Sequence, residues 1–149
     1  CHFIDLLRYL VGVPIERVHA ISIGEHPAIR YRHDKASITL SFEDGSVGTV
    51  FYLANGASSY PKEQLDVFCA GRVLKLDNYR RLLGWNWPGF KKMSSMRQDK
   101  GHAAECKAFV DRLVAGGEPL IARDELVNVT RASFAAVEAA RTGRVITLA

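Results

Sequence analysis

Apolar and polar residues change their spacing several times along this chain. At the start, Phe3, Leu6, Leu7, Leu10 and Val11 recur at three- and four-residue steps, the stripe of an amphipathic helix. Gly12 and Pro14 predict its end. His2, Asp5 and Tyr9 also fall at helical spacing, on another face. The period then shortens to two. "ERVHAISIG" reads as a strand and "EHPAIRYRHDK" as a polar loop. In "ASITLSF", Ile38, Leu40 and Phe42 point one way and Ser37, Thr39 and Ser41 the other. "EDGS" predicts a hairpin turn into "VGTVFYLA", since Asp-Gly adopts the backbone such turns need. After a second loop, "NGASSYPK", the runs "EQLDVFC" and "RVLKLD" form a hairpin through Ala70-Gly71, and "YRRLL" is a further short strand.

Residues 84–99 are rich in aromatics, Gly and Pro and read as an exposed loop or flap. Helical spacing then returns. One helix runs from about Lys100 to Val114 and stops at Gly116-Gly117. Another begins after Arg123, with Asp124 as N-cap, and runs to about Thr142. Its apolar set is Leu126, Val127, Thr130, Phe134, Val137 and Ala140. Gly143 ends it, and "RVITLA" is a last short strand. Strands run together and helices sit at the ends. The fold class is therefore α+β: a mostly antiparallel, open-faced sheet of five to six strands, with one N-terminal and two C-terminal helices. The length of 149 residues suits a single domain, 1–149.

Composition narrows the class little. Apolar residues make up 48% and charged residues 24%, ordinary for a globular chain. No apolar run approaches the ~20 residues of a membrane span. Asp5 and Arg8 interrupt "FIDLLRYLVGV" both as a span and as a signal peptide. The three cysteines, Cys1, Cys69 and Cys106, are widely spaced and form no CxxC. That argues against a disulfide framework and a structural zinc site, and makes a reducing cytoplasm the expected location. The net charge is +4, in short clusters such as Arg80-Arg81 and Lys91-Lys92 rather than a stripe, so neither nucleic acid nor membrane is an expected partner.

Candidate chemistry is sparse. Cys1 as an N-terminal nucleophile lacks an anion-stabilising loop. His2 with Asp5, and His26 with His33, lack a third ligand at any recognisable spacing, so no metal is expected. Neither GxGxxG nor GxxxxGK[ST] occurs, so no dinucleotide is placed on this chain alone. Trp85, Trp87, Phe90, Lys91 and Lys92 offer stacking and phosphate contacts for a nucleic acid. Their ordinary fate is to pack a loop against the sheet or a partner chain. His2 is open between a structural and a chemical role.

Several stretches carry a resemblance. "CHFIDLLRYLVG" resembles the H-x-x-D-x-x-x-x-L-x-G stretch that begins the C-terminal domain of the Gfo/Idh/MocA oxidoreductases. "ITLSFEDGSVGTVFYLANG" resembles that family's central hairpin, and "YPKEQLDVFCAGRVLKLDN" its next strand pair. "HAAECKAFVDRLVAGGEPLIARDELVNVTRASFAAVEAARTGRVITL" resembles its closing helix, G-x-P, helix and strand. The wording of "YPKE…LDN" is most like a bidomain type with an alcohol-dehydrogenase-like half in front.

The resemblance implies a Rossmann domain upstream of this chain and a substrate-binding and oligomerisation role for the chain itself. The parent would be an NAD(P)-dependent oxidoreductase acting on a sugar, sugar nucleotide or polyol. NAD or NADP would belong to the parent and not bind this fragment, which alone would be inactive. The family's catalytic histidine matches His2, while its motif aspartate would precede Cys1. Lys62 of "PKE" does not match the lysine of the family's E-K-P motif, which lies on the Rossmann domain. An imidazole ordinarily titrates near ~6.5, which suits a base toward a substrate hydroxyl. Asp5 would orient it or bind a hydroxyl, and Tyr60 and Lys62 are further candidates for substrate contact. The family's open sheet faces commonly pair between subunits. A homo-oligomer is therefore expected through the face carrying Ser37, Thr39, Ser41 and Tyr52. The alternative is a non-catalytic sheet domain for assembly or small-ligand binding.

Overall fold

The computed structural model of the chain describes residues 1–24 and 34–148. The polar-loop reading of 25–33, with His26 and His33, lies outside the described residues. The elements run α1 (His2–Val11), β1 (Ile15–Ser22), β2 (Lys35–Phe42), β3 (Val47–Leu53), β4 (Gln64–Cys69), β5 (Arg72–Asp77), β6 (Arg81–Trp85), β7 (Lys92–Ser94), α2 (His102–Ala115), α3 (Arg123–Thr142) and β8 (Ile146–Thr147). The class is α+β, with one N-terminal and two C-terminal helices. The strands fall into two antiparallel sheets of four, in the orders β3-β2-β1-β8 and β4-β5-β6-β7. The chain divides into two compact units. Residues 1–55 and 118–149 form the first, and 56–117 the second.

In the first unit, α1 ends where Gly12 turns left-handed (φ 83°) and its N–H reaches the Arg8 carbonyl at 2.9 Å. A residue without Cβ takes that conformation at little cost. Ile4 is buried from α1, with Leu7 and Val11 packed beside it. Beneath lie Val18 and Ala20 of β1 and Leu40 and Phe42 of β2. Gly48 of β3 lets Leu7 approach: a Cβ there would sit 2.9 Å from the leucine Cδ1.

Helix α3 closes this core with Val129, Ala132, Ala135, Ala136 and Ala139. The apolar set expected from spacing mostly faces out instead. Phe134 is 71% and Val137 70% exposed, and Leu126 and Val127 are exposed as well. Of that set only Ala140 packs against the core. The alanines let the helix lie close to the sheet, where Ile15, Val18, Leu40 and Phe42 already fill the interior. Asn128 fastens the contact: its Oδ1 accepts the Ile15 N–H at 2.9 Å and its Nδ2 donates to the Ile15 carbonyl at 3.0 Å. Asp124 is not the cap of α3. Ala122 is, in extended backbone and without a side-chain bond, while Asp124 and Glu125 sit in the first turn and favour the helix dipole there.

The other face of this sheet follows from the register. Ile21 pairs with Ser37 and Ser37 with Phe51; His19 pairs with Thr39 and Thr39 with Thr49; Arg17 pairs with Ser41 and Ser41 with Val47. Ser37, Thr39 and Ser41 thus share a face as expected. Tyr52 does not join them: it pairs with Ala36, on the face of Ile38 and Leu40. Phe51 stands in its place, because neighbouring strand residues point to opposite faces.

In the second unit, β4 and β5 form a hairpin through Ala70-Gly71, both at positive φ, as a two-residue turn demands. The stretch 84–99 is not simply a loop: β7 lies within it and pairs with β6. Two of its aromatics, Trp87 and Phe90, pack on their own sheet, while Trp85 stays exposed. The Trp87 indole N–H donates to the Val73 carbonyl at 2.9 Å, and the Arg72 guanidinium lies 5.5 Å from the Trp87 ring centroid. Phe90 covers Gly84, where a Cβ would meet its ring at 2.7 Å. No residue of α2 is buried.

Asn128→Leu should lower stability by about 1–3 kcal/mol, the usual cost of leaving buried backbone groups unpaired. Urea unfolding of the variant checks this; a midpoint equal to that of the native chain would show that the side chain is not a clamp.

Candidate functional site

His2 is the first residue of α1 and is exposed. Its contact with Cys1 is weak, Nδ1 lying 3.9 Å from the Cys1 Sγ. Asp5 follows one turn later and is half-buried, its N–H donating to the Cys1 carbonyl at 2.9 Å. Tyr9, one further turn on, is 74% exposed. Ile4, Leu7 and Val11 take the core side of this helix, so helical geometry turns His2 and Tyr9 outward. Among the described residues no hydrogen bond joins His2 to Asp5. The result is an accessible imidazole, with a carboxylate and a phenol along the same side of the helix. Such a set can accept a proton and hydrogen-bond hydroxyl groups.

Tyr60 and Lys62 belong to the second unit. Both are exposed in the stretch leading into β4. The Tyr60 hydroxyl accepts a bond from the Gln64 side-chain amide at 3.0 Å, and Lys62 makes no ion pair among the described residues. The structure thus brings His2 and Asp5 together on one helix and holds Tyr60 beside Gln64.

A polar cluster in the second unit escaped the pattern reading. The β5–β6 connection places Asn78 and Tyr79 at positive φ, 50° and 51°. Two separate stretches hold it. The Asn78 N–H donates to the Glu63 carbonyl at 2.7 Å. The Gln98 amide donates to the Asn78 Oδ1 at 2.9 Å, and the Asp99 N–H to the Tyr79 carbonyl at 3.3 Å. Lys100 pairs with Glu63, whose side chain is 13% exposed, and its ammonium lies 5.8 Å from the Tyr79 ring centroid. The sequence signal was the asparagine between two alternating runs, a residue that tolerates left-handed backbone.

Other chemistry finds less support. Among the described residues no three of His, Cys, Asp and Glu converge as a metal group. The cysteines are free and exposed. Among the described residues no helix is long and apolar enough to cross a membrane. Every strand pair among the described residues is antiparallel, whereas the phosphates of a dinucleotide ordinarily sit at a Gly-rich turn between parallel strand and helix.

No family model matches the chain, and no curated protein sequence matches it. Solved structures do. An oxidoreductase from Agrobacterium radiobacter, in complex with NAD+, L-tartaric acid and magnesium, superposes with a TM-score of 0.77 at 21% identity, over 98% of this chain and 46% of that one. An aldose-aldose oxidoreductase from Caulobacter crescentus, complexed with glycerol, gives 0.75 at 20% identity, over 99% and 45%. A UDP-N-acetylglucosamine 3-dehydrogenase from Acidithiobacillus ferrooxidans gives 0.72 at 19%, over 93% and 44%. The chain carries the fold of part of these oxidoreductases. It spans less than half of their length, and its α+β fold is the one that the Gfo/Idh/MocA resemblance implied.

Asn78→Ala should destabilise the second unit by about 1–2 kcal/mol, the cost of a left-handed backbone at a residue with Cβ and no local polar bond. Asn78→Gly should lose less. Thermal unfolding of both variants checks the order; Ala more stable than Gly would contradict it.

Proposed function

We propose that the chain is the substrate and assembly half of an NAD(P)-dependent oxidoreductase acting on a sugar, sugar nucleotide or polyol. What carries the proposal is the fold match: nearly all of this chain superposes on less than half of proteins described as oxidoreductases. The small molecules and substrates in their names are hydroxylated compounds, which supports the substrate class. A Rossmann domain preceding α1 would hold the cofactor, since every strand pair among the described residues is antiparallel. The exposed apolar residues Leu126, Phe134 and Val137 on α3 support further protein covering that helix. The three free cysteines accord with a reducing cytoplasm.

NAD(P), held by the preceding domain, would supply the hydride acceptor. The share of this chain is the proton. As the hydride leaves the hydroxyl-bearing carbon, the hydroxyl proton must pass to a base. His2 is that base, exposed at the helix start with its ring free to meet a substrate. Asp5 orients the imidazole or accepts a neighbouring hydroxyl; Tyr60 and Lys62, in the other unit, are separate candidates for a substrate contact.

Assembly is assigned to the open face of the first sheet. Phe51 is 68% exposed, and Ile21 and Val47 are exposed with it, among serines and threonines that allow close approach. A second copy laid on this face would cover those side chains in an isologous pair.

Two measurements test the proposal. In the longer protein with a sugar substrate, His2→Ala should lower kcat by about 10²–10⁴, the worth of a general base, while cofactor affinity and melting temperature hold. A variant that loses stability and keeps kcat would make the histidine structural. By light scattering, the native chain should be a dimer and Phe51→Asp a monomer; a native monomer at high concentration would remove the assembly role.

A further inference from the structure

We propose that the second unit binds a phosphoryl anion in the cavity beside its β5–β6 turn. The cavity has a volume of about 400 Å³ and is lined by Asp77, Arg80, Arg81, Lys92, Ser94 and Ser95, among others. That volume lies within the ~300–1,000 Å³ typical of small-ligand pockets. Three cations face one carboxylate in it. Strand register explains why they meet. Asp77 pairs with Arg81, and Arg81 with Ser94, so the three stand in one row across the sheet. Lys92 lies two residues before Ser94 on β7 and so on the same face.

The cations are held but not used up. Arg80 spends one guanidinium nitrogen on the Met96 carbonyl at 2.9 Å; a guanidinium has five N–H donors, so others remain. Among the described residues the side chains of Arg81 and Lys92 make no hydrogen bond or ion pair. The backbone leading into Arg80 and Arg81 is set from the adjoining turn, where Asn78 and Tyr79 sit at positive φ and bond to Glu63, Gln98 and Asp99. The Arg80 N–H donates to the Asp77 carbonyl at 3.0 Å, and the Ser95 N–H to the Arg80 carbonyl at 2.8 Å. A left-handed tyrosine is an unfavourable conformation, and such strain is a pointer to function when the surroundings enforce it.

The donor set indicates the ligand class. Two guanidinium groups, an ammonium and two hydroxyls exceed what the two oxygens of a carboxylate can take up. A terminal phosphoryl group brings three strong acceptor oxygens and up to two negative charges. Asp77, also in the cavity, would repel a bare anion but accept a bond from a ligand hydroxyl. The ligand is therefore a hydroxylated molecule with a phosphate or diphosphate end. This inference rests on the second unit alone and is independent of the dehydrogenase proposal.

Titration calorimetry on the 149-residue chain tests it, with inorganic phosphate, pyrophosphate and glucuronate as probes at one fixed salt concentration. Phosphate or pyrophosphate should bind saturably at one site, and glucuronate more weakly. Tighter phosphate binding marks a monophosphate end and tighter pyrophosphate a diphosphate end; either supports the site. Arg81→Gln and Lys92→Gln should each weaken binding about tenfold, near 1.4 kcal/mol, with unchanged melting temperatures. Lys107→Gln, on α2 and paired with Asp111, should leave affinity unchanged. Should Arg81→Gln fail to fold, Lys92→Gln decides alone. The proposal is overturned if neither phosphate probe saturates, if glucuronate binds as tightly, or if Lys107→Gln weakens binding as much as Lys92→Gln.

Discussion

The first unit depends on one close contact, the alanine side of α3 laid on β1. Alanine removes the side-chain bulk that would hold helix and strand apart, and Asn128 then reaches both polar groups of the Ile15 backbone. The strand end is thereby satisfied by a helix 113 positions later in sequence. Everything near the candidate base follows from this seating. With β1 fixed, β2 and β3 take their register, Gly48 admits Leu7, and α1 packs by Ile4, Leu7 and Val11. His2 and Tyr9 are left pointing outward because the core has claimed the opposite side of their helix.

The second unit is organised differently. Its polar network is concentrated where the chain turns, and the bonds are made by backbone groups as often as by side chains. Glu63, Gln98 and Asp99 come from both ends of the unit to hold two left-handed residues between adjacent strands. A turn secured in this way fixes the start of β6, and the Arg80 guanidinium is held by the Met96 carbonyl. The aromatic stretch after β6 is absorbed into the same economy: Trp87 and Phe90 lie on Val73 and Gly84 and are not available as a free stacking platform.

Under the proposed function, the fold and the chemistry would divide the work of an oxidation. The chain offers an exposed imidazole, a carboxylate and a phenol on one side of α1, and two apolar surfaces, one on the sheet and one on α3. Among the described residues every strand pair is antiparallel, unlike the parallel strand-turn-helix that ordinarily cradles a dinucleotide. A protein built this way would leave the redox carrier to another domain and supply proton acceptance and assembly from this one.

The sequence by itself determined most of the elements. Period two marked the main strands, Asp-Gly and Ala-Gly marked the hairpins, and glycines marked the helix ends, because these signals act between near neighbours. It also placed His2, Asp5 and Tyr9 on one side of a helix, which needs only helical geometry. The tertiary structure alone decided which side of α3 is buried. Phe134 and Val137 give the stronger apolar signal, yet the space left above Val18 and Leu40 suits alanine, and that space is made by residues far away in the chain. It likewise put Phe51 rather than Tyr52 on the open sheet face, since parity depends on pairing across strands. The charge clusters Arg80-Arg81 and Lys91-Lys92 were legible in the sequence, but that Lys92 shares a cavity with the two arginines was not, because cross-strand register, not sequence distance, makes them neighbours.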